Sequence, residues 1–256
     1  MGRSAKRIFC ITESGPLTGV AEGGIHAIRC GDLAAVVRDA VSQGAPPTRQ
    51  DLVEHLRVIE QVMARQTVVP VAFGTTAASE EEVRNSLLVP RYDWLRSLLD
   101  HLRGKVELGL KVMWRDLAPV LAEIVAERED IGALRARIAA RPGPSTYQQR
   151  VRIGQMVAEA LDGRRVEETD AIMATLAPLA TETRAGKLLG DKMILNAAFL
   201  VEREREPEFD QGVVRLGEDR GDRLVIRYVG PEPPFSFVDL SGIVSASRDT
   251  ALPALR

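Results

Sequence analysis

Histidine, cysteine and aromatic residues are scarce in this chain, and each scarcity closes off a class of chemistry. Of 256 residues, three are histidine, two are cysteine and two are tryptophan, and aromatics total 4%. His26, His55 and His101 stand far apart, with no HExxH, Cys/His cluster or EF-hand loop. The ligand spacings of zinc and calcium sites are therefore missing. Cys10 and Cys30 read as small buried hydrophobes, because thiols stay reduced in the cytosol. No run approaches the roughly 20 apolar residues of a membrane span, and residues 1–6 lead straight into a strand-like run, where a signal sequence would place its apolar core. The expected location is thus cytoplasmic. A net charge of −2 lacks the basic face of a general nucleic-acid binder.

What is present is enough to build a core. Hydrophobic residues make up 45%, and the length suits one large or two small domains. Strand patterns fall at 7–12, 25–30 and 33–38, the last two joined at Gly31-Asp32 as a hairpin. Thr48 and Asp51 start a helix with Leu52, Leu56, Ile59 and Met63 on its buried face. Residues 68–73 read as a central strand, in which Pro70 marks an end, an edge or a bulge. Ser79 with Glu82 forms a capping box, Pro90 opens a helix that buries Leu95, Leu98 and Leu102, and Gly104 ends it.

Strict alternation follows at 106–114, with Val106, Leu108, Leu110, Val112 and Trp114 on one face. Residues 116–140 are helical with a break near Asp130. Ser145 and Gln148 cap a long helix whose stripe runs through Tyr147, Val151, Gly154, Ala158 and Leu161, and Gly163 leaves its continuity open. A weak strand at 183–189 and an apolar strand at 193–201 precede a helix opened by Pro207, with Phe209, Val213 and Leu216 on one face. A last strand at 223–229 leads into an extended Pro-rich tail. From Lys105 the order is strand, helices, strand, strand, helix, strand, which is the split βαβ order of a ferredoxin-like domain.

The fold expected is α+β in two domains. Residues 1–104 form an N-terminal α+β unit with a small mixed sheet. Residues 105–242 form a ferredoxin-like domain with an enlarged helical crossover and the tail, and 243–256 are expected to be disordered. A ferredoxin-like sheet raises RNA binding, but that use needs exposed aromatics for base stacking. The alternate face of the first strand offers Glu107, Gly109, Lys111 and Met113 instead. The acidic run Glu80-Glu81-Glu82 sits at a helix N-terminus, where carboxylates favour the dipole, and reads as a solvated face. The Gly-Lys at 186–187 lacks the first glycine and the following Ser/Thr of a phosphate loop. No GxGxxG or GxSxG occurs, so no catalytic residue and no cofactor is expected.

Several blocks in fixed order carry a resemblance: CGDLAAVV (30–37), VVPVAFGT (68–75), GKVELGLKV (104–112), LNAAFLV (195–201) and GPEPPFSFV (230–238). Together they resemble the gas vesicle protein F/L family. Three positions depart from its usual pattern: Ala72 stands for Arg, Leu108 for an aromatic and Glu232 for Trp. If that Trp anchors the tail, Phe235 and Phe237 must do so here. The resemblance implies a non-enzymatic accessory protein of gas vesicle assembly. Its implied partners are the small hydrophobic shell protein and other accessory proteins, and its implied location is the cytoplasm and the gas vesicle. The motif positions expected at a domain seam or partner surface are Pro70, Phe73, Gly74, Gly104, Lys105, Glu107, Asn196, Phe199, Gly230, Pro233, Pro234 and Phe235. A contact region is expected around residues 15–24 and 68–76. The alternatives are a minor structural component of the vesicle and a small-molecule-binding α+β protein.

Overall fold

The computed structural model describes residues 4–17, 20, 23–40, 48–140 and 146–239. These divide into two compact units, one within Met1–Glu107 and Gly230–Arg256, the other Leu108–Val229. The sequence places the tail in the second domain. Its described residues from Gly230 onward group instead with the first unit, because Phe235 packs on that unit's core. The expectations for Ser145 and for 243–256 lie outside the described residues.

The first unit is built on an antiparallel sheet of β1 (Lys6–Glu13), β2 (Ile25–Cys30), β3 (Leu33–Asp39), β4 (Val68–Pro70) and β5 (Thr76–Ala77). The strand order is β2-β3-β1-β4, with β5 also on β1. β1 is central, and Ile8, Phe9, Cys10 and Ile11 are all fully buried, which explains its apolar residues on both faces. The strand expected to be central at 68–73 is a three-residue edge strand ending at Pro70, opposite Cys10. Proline has no N–H to continue a ladder, so the chain leaves the sheet there.

Helix α1 (Arg49–Met63) starts with a full capping box, Thr48 with Asp51. Its buried face is His55, Val58, Ile59 and Val62, rotated from the expected stripe, so that Leu52, Leu56 and Met63 flank it. The core there joins Phe9, Cys10, Val36, Val58, Ile59, Val62 and Val68. Ser79 caps the short α2 (Glu80–Glu82), accepting from the Glu82 amide at 3.2 Å. A π turn over Val83–Leu88 and α3 (Tyr92–Leu102) follow. They bury Val83, Leu87, Leu88, Leu95, Leu99 and Leu102; Leu99 takes the place expected of Leu98, which is half-buried.

The β2–β3 hairpin turns at Gly31, φ 57°, in the first of two turn positions, where a II′ turn uses glycine. A Cβ there would lie 2.7 Å from the Tyr92 hydroxyl, which accepts the Asp32 amide at 3.1 Å. Gly31→Ala is therefore expected to cost about 1–2 kcal/mol from the left-handed backbone, read as a lower denaturant midpoint of the Trp94 fluorescence. An unchanged midpoint would show that the turn relaxes freely.

The second unit holds a sheet of β6 (Lys105–Trp114), β7 (Glu182–Ala185), β8 (Met193–Glu202) and β9 (Leu224–Glu232) in the order β7-β8-β6-β9; the ends of β6 and β9 belong to the first unit. Its helices are α4 (Leu117–Glu127), α5 (Glu129–Ala140), α6 (Tyr147–Leu176) and α7 (Glu206–Arg220). β6 and β8 are the inner strands, as the split βαβ order requires. Asp116 caps α4 at the Ala118 amide, 3.1 Å, and Arg128 interrupts the helical run where the break near Asp130 is expected.

Gly163 does not interrupt α6, which runs 30 residues. The expected α6 stripe is exposed at Tyr147, Val151, Gly154 and Ala158, and burial begins at Leu161. Arg165 ties α6 to the sheet end: its guanidinium lies 5.7 Å from the Trp114 ring centroid and donates to the Met193 and Asp191 carbonyls at 3.0 and 3.1 Å. The core closes on Phe199, whose ring centroid lies 5.0 Å from that of Phe209, and Phe209 stacks on Tyr228 at 6.1 Å.

Candidate functional site

The VPVAFGT block builds a turn around a buried histidine. Beyond Pro70, the Val71 amide donates to the Phe9 carbonyl at 3.0 Å, and the Val71 carbonyl accepts from His55 Nε2 at 2.9 Å. His55 is fully buried, stacked on Phe9 at 5.4 Å and edge-on to Phe73 at 5.5 Å. The Arg7 guanidinium lies 6.0 Å from the Phe73 ring centroid and pairs with Asp51 at 3.2 Å. Gly74, φ 88°, turns the chain. Thr75 closes the turn through its amide and hydroxyl to the Ala72 carbonyl, at 3.2 and 2.8 Å. Arg38 pairs with Glu54 and lies 5.9 Å from the Phe9 ring centroid.

Electrostatics follow from this packing. Burial holds His55 below its ordinary pKa, and the charge of Arg7 adds to the effect, against the hydrogen bond to Val71. The Thr48 hydroxyl and amide, then Arg7, hold Asp51 down to about 2. Because Nε2 donates to a carbonyl, Nδ1 carries the lone pair, and Nδ1 has no partner among the described residues. Sequence reasoning missed His55, since a polar residue in an apolar stripe reads as rim.

It also missed Lys6, which is buried between Asp39 at 2.5 Å and Glu80 at 3.1 Å. Glu80, expected on a solvated face, is thus an ion-pair partner of the sheet. Cys10 is fully buried, Cys30 half-buried, and both are free thiols.

Two further motif blocks meet in the first unit. Gly104, φ 69°, turns into β6, and Lys105 Nζ donates to the His101 carbonyl at 2.5 Å. Glu107, expected on the open face of the strand, is 7% exposed. Its carboxylate accepts from the Ser236 amide at 2.8 Å and the Ser236 hydroxyl at 2.6 Å. The expected extended tail holds for Gly230–Glu232, which end β9, and beyond them the chain turns and docks as a strap. Gly230, φ 138°, precedes a cis bond to Pro231. Pro233 and Pro234 are buried, and a 3-10 turn runs over Phe235–Phe237. Phe235 packs against the core cluster that includes Val58, Ile59 and Val62 of α1, as do Leu17, Val20, Ile25 and Met63, and Phe237 is 4% exposed. Phe235 and Phe237 thus do the anchoring in a tail that carries Glu232.

The remaining motif residues lie in the second unit. Asn196 Nδ2 donates to the Lys187 carbonyl at 2.9 Å, and its own carbonyl accepts from the Gly186 amide at 2.7 Å. Phe199 is a core residue.

A cleft of about 290 Å³ in the first unit is lined by Glu13, Ser14, Asp32, Leu33, Arg96, Leu99 and Asp100. Its charges are paired, Arg96 with Asp32 and Arg103 with Glu13 and Asp100. Among the described residues no group of three or more His, Cys, Asp or Glu side chains is placed to hold a metal ion, and no helix is long and apolar enough to cross a membrane.

Two units, each with its own sheet and helices, define an α+β protein whose motif residues lie in turns, core and strap. Residues 6–239 match the family model described as gas vesicle synthesis protein GvpL/GvpF, and the chain belongs to that family. It is 33% identical over 210 residues to gas vesicle protein F of Streptomyces sp. (strain CB03234), covering 82% of this chain and 85% of that one. To gas vesicle protein F of Dolichospermum flosaquae it is 27% identical over 232 residues, covering 90% and 94%. The crystal structure of the gas vesicle protein GvpF from Anabaena sp. PCC7120 superposes with a TM-score of 0.84 at 26% identity, covering 93% of this chain and 99% of that one. That of GvpF from Microcystis aeruginosa gives 0.80 at 25%, covering 93% and 100%.

Proposed function

We propose that this protein is a non-enzymatic assembly factor of the gas vesicle that binds the hydrophobic shell protein before it is built into the wall. A wall that excludes water needs an apolar inner face, and subunits carrying such a face aggregate until assembled. A partner that covers this surface keeps them soluble. The observation that supports the reading is the apolar rim of the first unit. There Leu17, Val20, Ile25, Met63 and Phe235 pack against the buried core while staying partly exposed themselves. Of the motif positions, Phe235 is on this rim and is the proposed partner-facing residue; Pro233, Pro234 and Glu107 are buried and hold the strap that carries it.

Co-expression of the tagged chain with shell protein tests the reading. The expected result is a co-purifying complex and more shell protein in the soluble fraction, both reduced by Met63→Asp. Absence of a complex together with unchanged shell-protein solubility overturns it. Retention of the chain on vesicles after stringent washing would instead make it a component of the wall.

A further inference from the structure

The strap from Gly230 to Asp239 is held by two kinds of contact that respond oppositely to water. Phe235 and Phe237 favour docking, because it removes apolar rings from solvent. Glu107 opposes it, because docking buries a carboxylate whose hydrogen bonds, among the described residues, come from one strap residue, Ser236. An apolar residue or an amide at 107 would carry no such penalty. Undocking returns the carboxylate to water and recovers its hydration, so the site contains its own counterweight.

We propose that Glu107 and Ser236 form a proton-coupled latch, closed most firmly when Glu107 carries a proton and loosened when it is ionised. A neutral carboxyl keeps both contacts: its carbonyl oxygen accepts from the Ser236 amide, and its hydroxyl pairs with the Ser236 hydroxyl. It also sheds the cost of a buried charge.

The surroundings agree. Burial raises the Glu107 pKa, against the hydrogen bonds from Ser236, and the negative charge of Glu232 on β9 raises it further. On β6 itself the nearby cation, Lys105, donates to the His101 carbonyl. With the docked-state pKa above the undocked one, docking takes up a proton. Closure is then firmest at low pH and weakens as pH rises through the raised value. What the latch controls is access to the apolar core cluster on which Phe235 packs.

Hydrogen exchange of the peptide spanning 233–238, corrected for intrinsic rates at each pH, measures the opening equilibrium in the full-length protein. In the wild type, opening is expected to increase with pH, by at most about tenfold per unit for one coupled proton. The rise starts near the ordinary glutamic acid pKa of about 4.3 and levels off above the raised one. Glu107→Gln is expected to flatten this dependence and to lower opening at pH 7 below that of the wild type. Ser236→Ala is expected to open the strap further while keeping a rising pH profile, which provides a test if Glu107→Gln does not fold.

A wild-type profile that is flat or falls with pH overturns the latch. So does a Glu107→Gln strap that opens more readily than wild type at pH 7. The latch does not depend on the partner's identity: a failed pull-down leaves the exchange profile as it is, and a flat profile leaves the pull-down as it is.

Discussion

Phe199→Ala is expected to destabilise the second unit by about 3–5 kcal/mol, the range for truncating a fully buried aromatic. Phe199 lies on β8, an inner strand, at 0% exposure. It starts a ring series through Phe209 to Tyr228, whose hydroxyl donates to Asp210 at 2.5 Å. Truncation leaves a cavity between sheet and α7 and strips Phe209 of its tilted ring contact, an interaction worth about 0.5–1.5 kcal/mol beyond area. Collapse into the gap is restricted, because the neighbours Leu195, Ala197 and Val201 are set by the strand's own pairing. The two tryptophans make the measurement clean: Trp114 lies in the second unit and Trp94 in the first. In a Trp94→Phe background, the denaturant midpoint of Trp114 fluorescence reports the second unit. A loss below about 1 kcal/mol would mean that Phe199 is not the keystone its burial suggests. Phe199→Leu, which keeps most of the volume, is expected to recover more than half of the loss.

Periodicity revealed which side chains share a face, but it could not reveal what covers that face. On β6 the alternation correctly identifies Val106, Leu108, Leu110, Val112 and Trp114 as buried. It assigns Glu107 to solvent, because the residue that covers it, Ser236, lies 129 positions away. On α6 the same logic fails in the other direction. The stripe is real, yet Tyr147 is 67% and Val151 44% exposed, since within its unit the helix meets its neighbours through another face there. Local chemistry was more legible: the Thr48–Asp51 capping box, the Ser79 cap, the break near Asp130 and the Gly31 turn each involve residues within four positions. The buried His55 was invisible for a related reason. Its acceptor, the Val71 carbonyl, sits 16 residues on, in a segment that reads as strand but leaves the sheet at Pro70.

That histidine makes the first unit acid-sensitive. His55 Nε2 donates to Val71, so charging the ring requires a proton on Nδ1, which is buried with no acceptor among the described residues to receive it. The aromatic walls of Phe9 and Phe73 offer no dipole to replace water, and the Arg7 charge opposes a second cation. The carboxylates on this side, Asp51 and Glu54, are engaged by Arg7 and Arg38. The folded-state pKa is thus depressed below the unfolded value of about 6.5. A group of this kind leaves stability intact above the unfolded pKa and removes it as pH falls toward the folded one. The limiting slope is about 1.4 kcal/mol per pH unit. His55→Leu is expected to cost about 1–3 kcal/mol at pH 7.5, because the Val71 carbonyl loses its donor inside the core. The same variant is expected to abolish the slope between pH 6.5 and 5, so that the stabilities of variant and wild type converge as the solution is acidified. Urea titrations followed by Trp94 in a Trp114→Phe background across that range decide it. Parallel curves would show that His55 titrates normally despite its burial. The sign is opposite to that of the strap, which acid closes. One pH series therefore separates the two groups, since loosening of the sheet and tightening of the tail cannot come from the same proton.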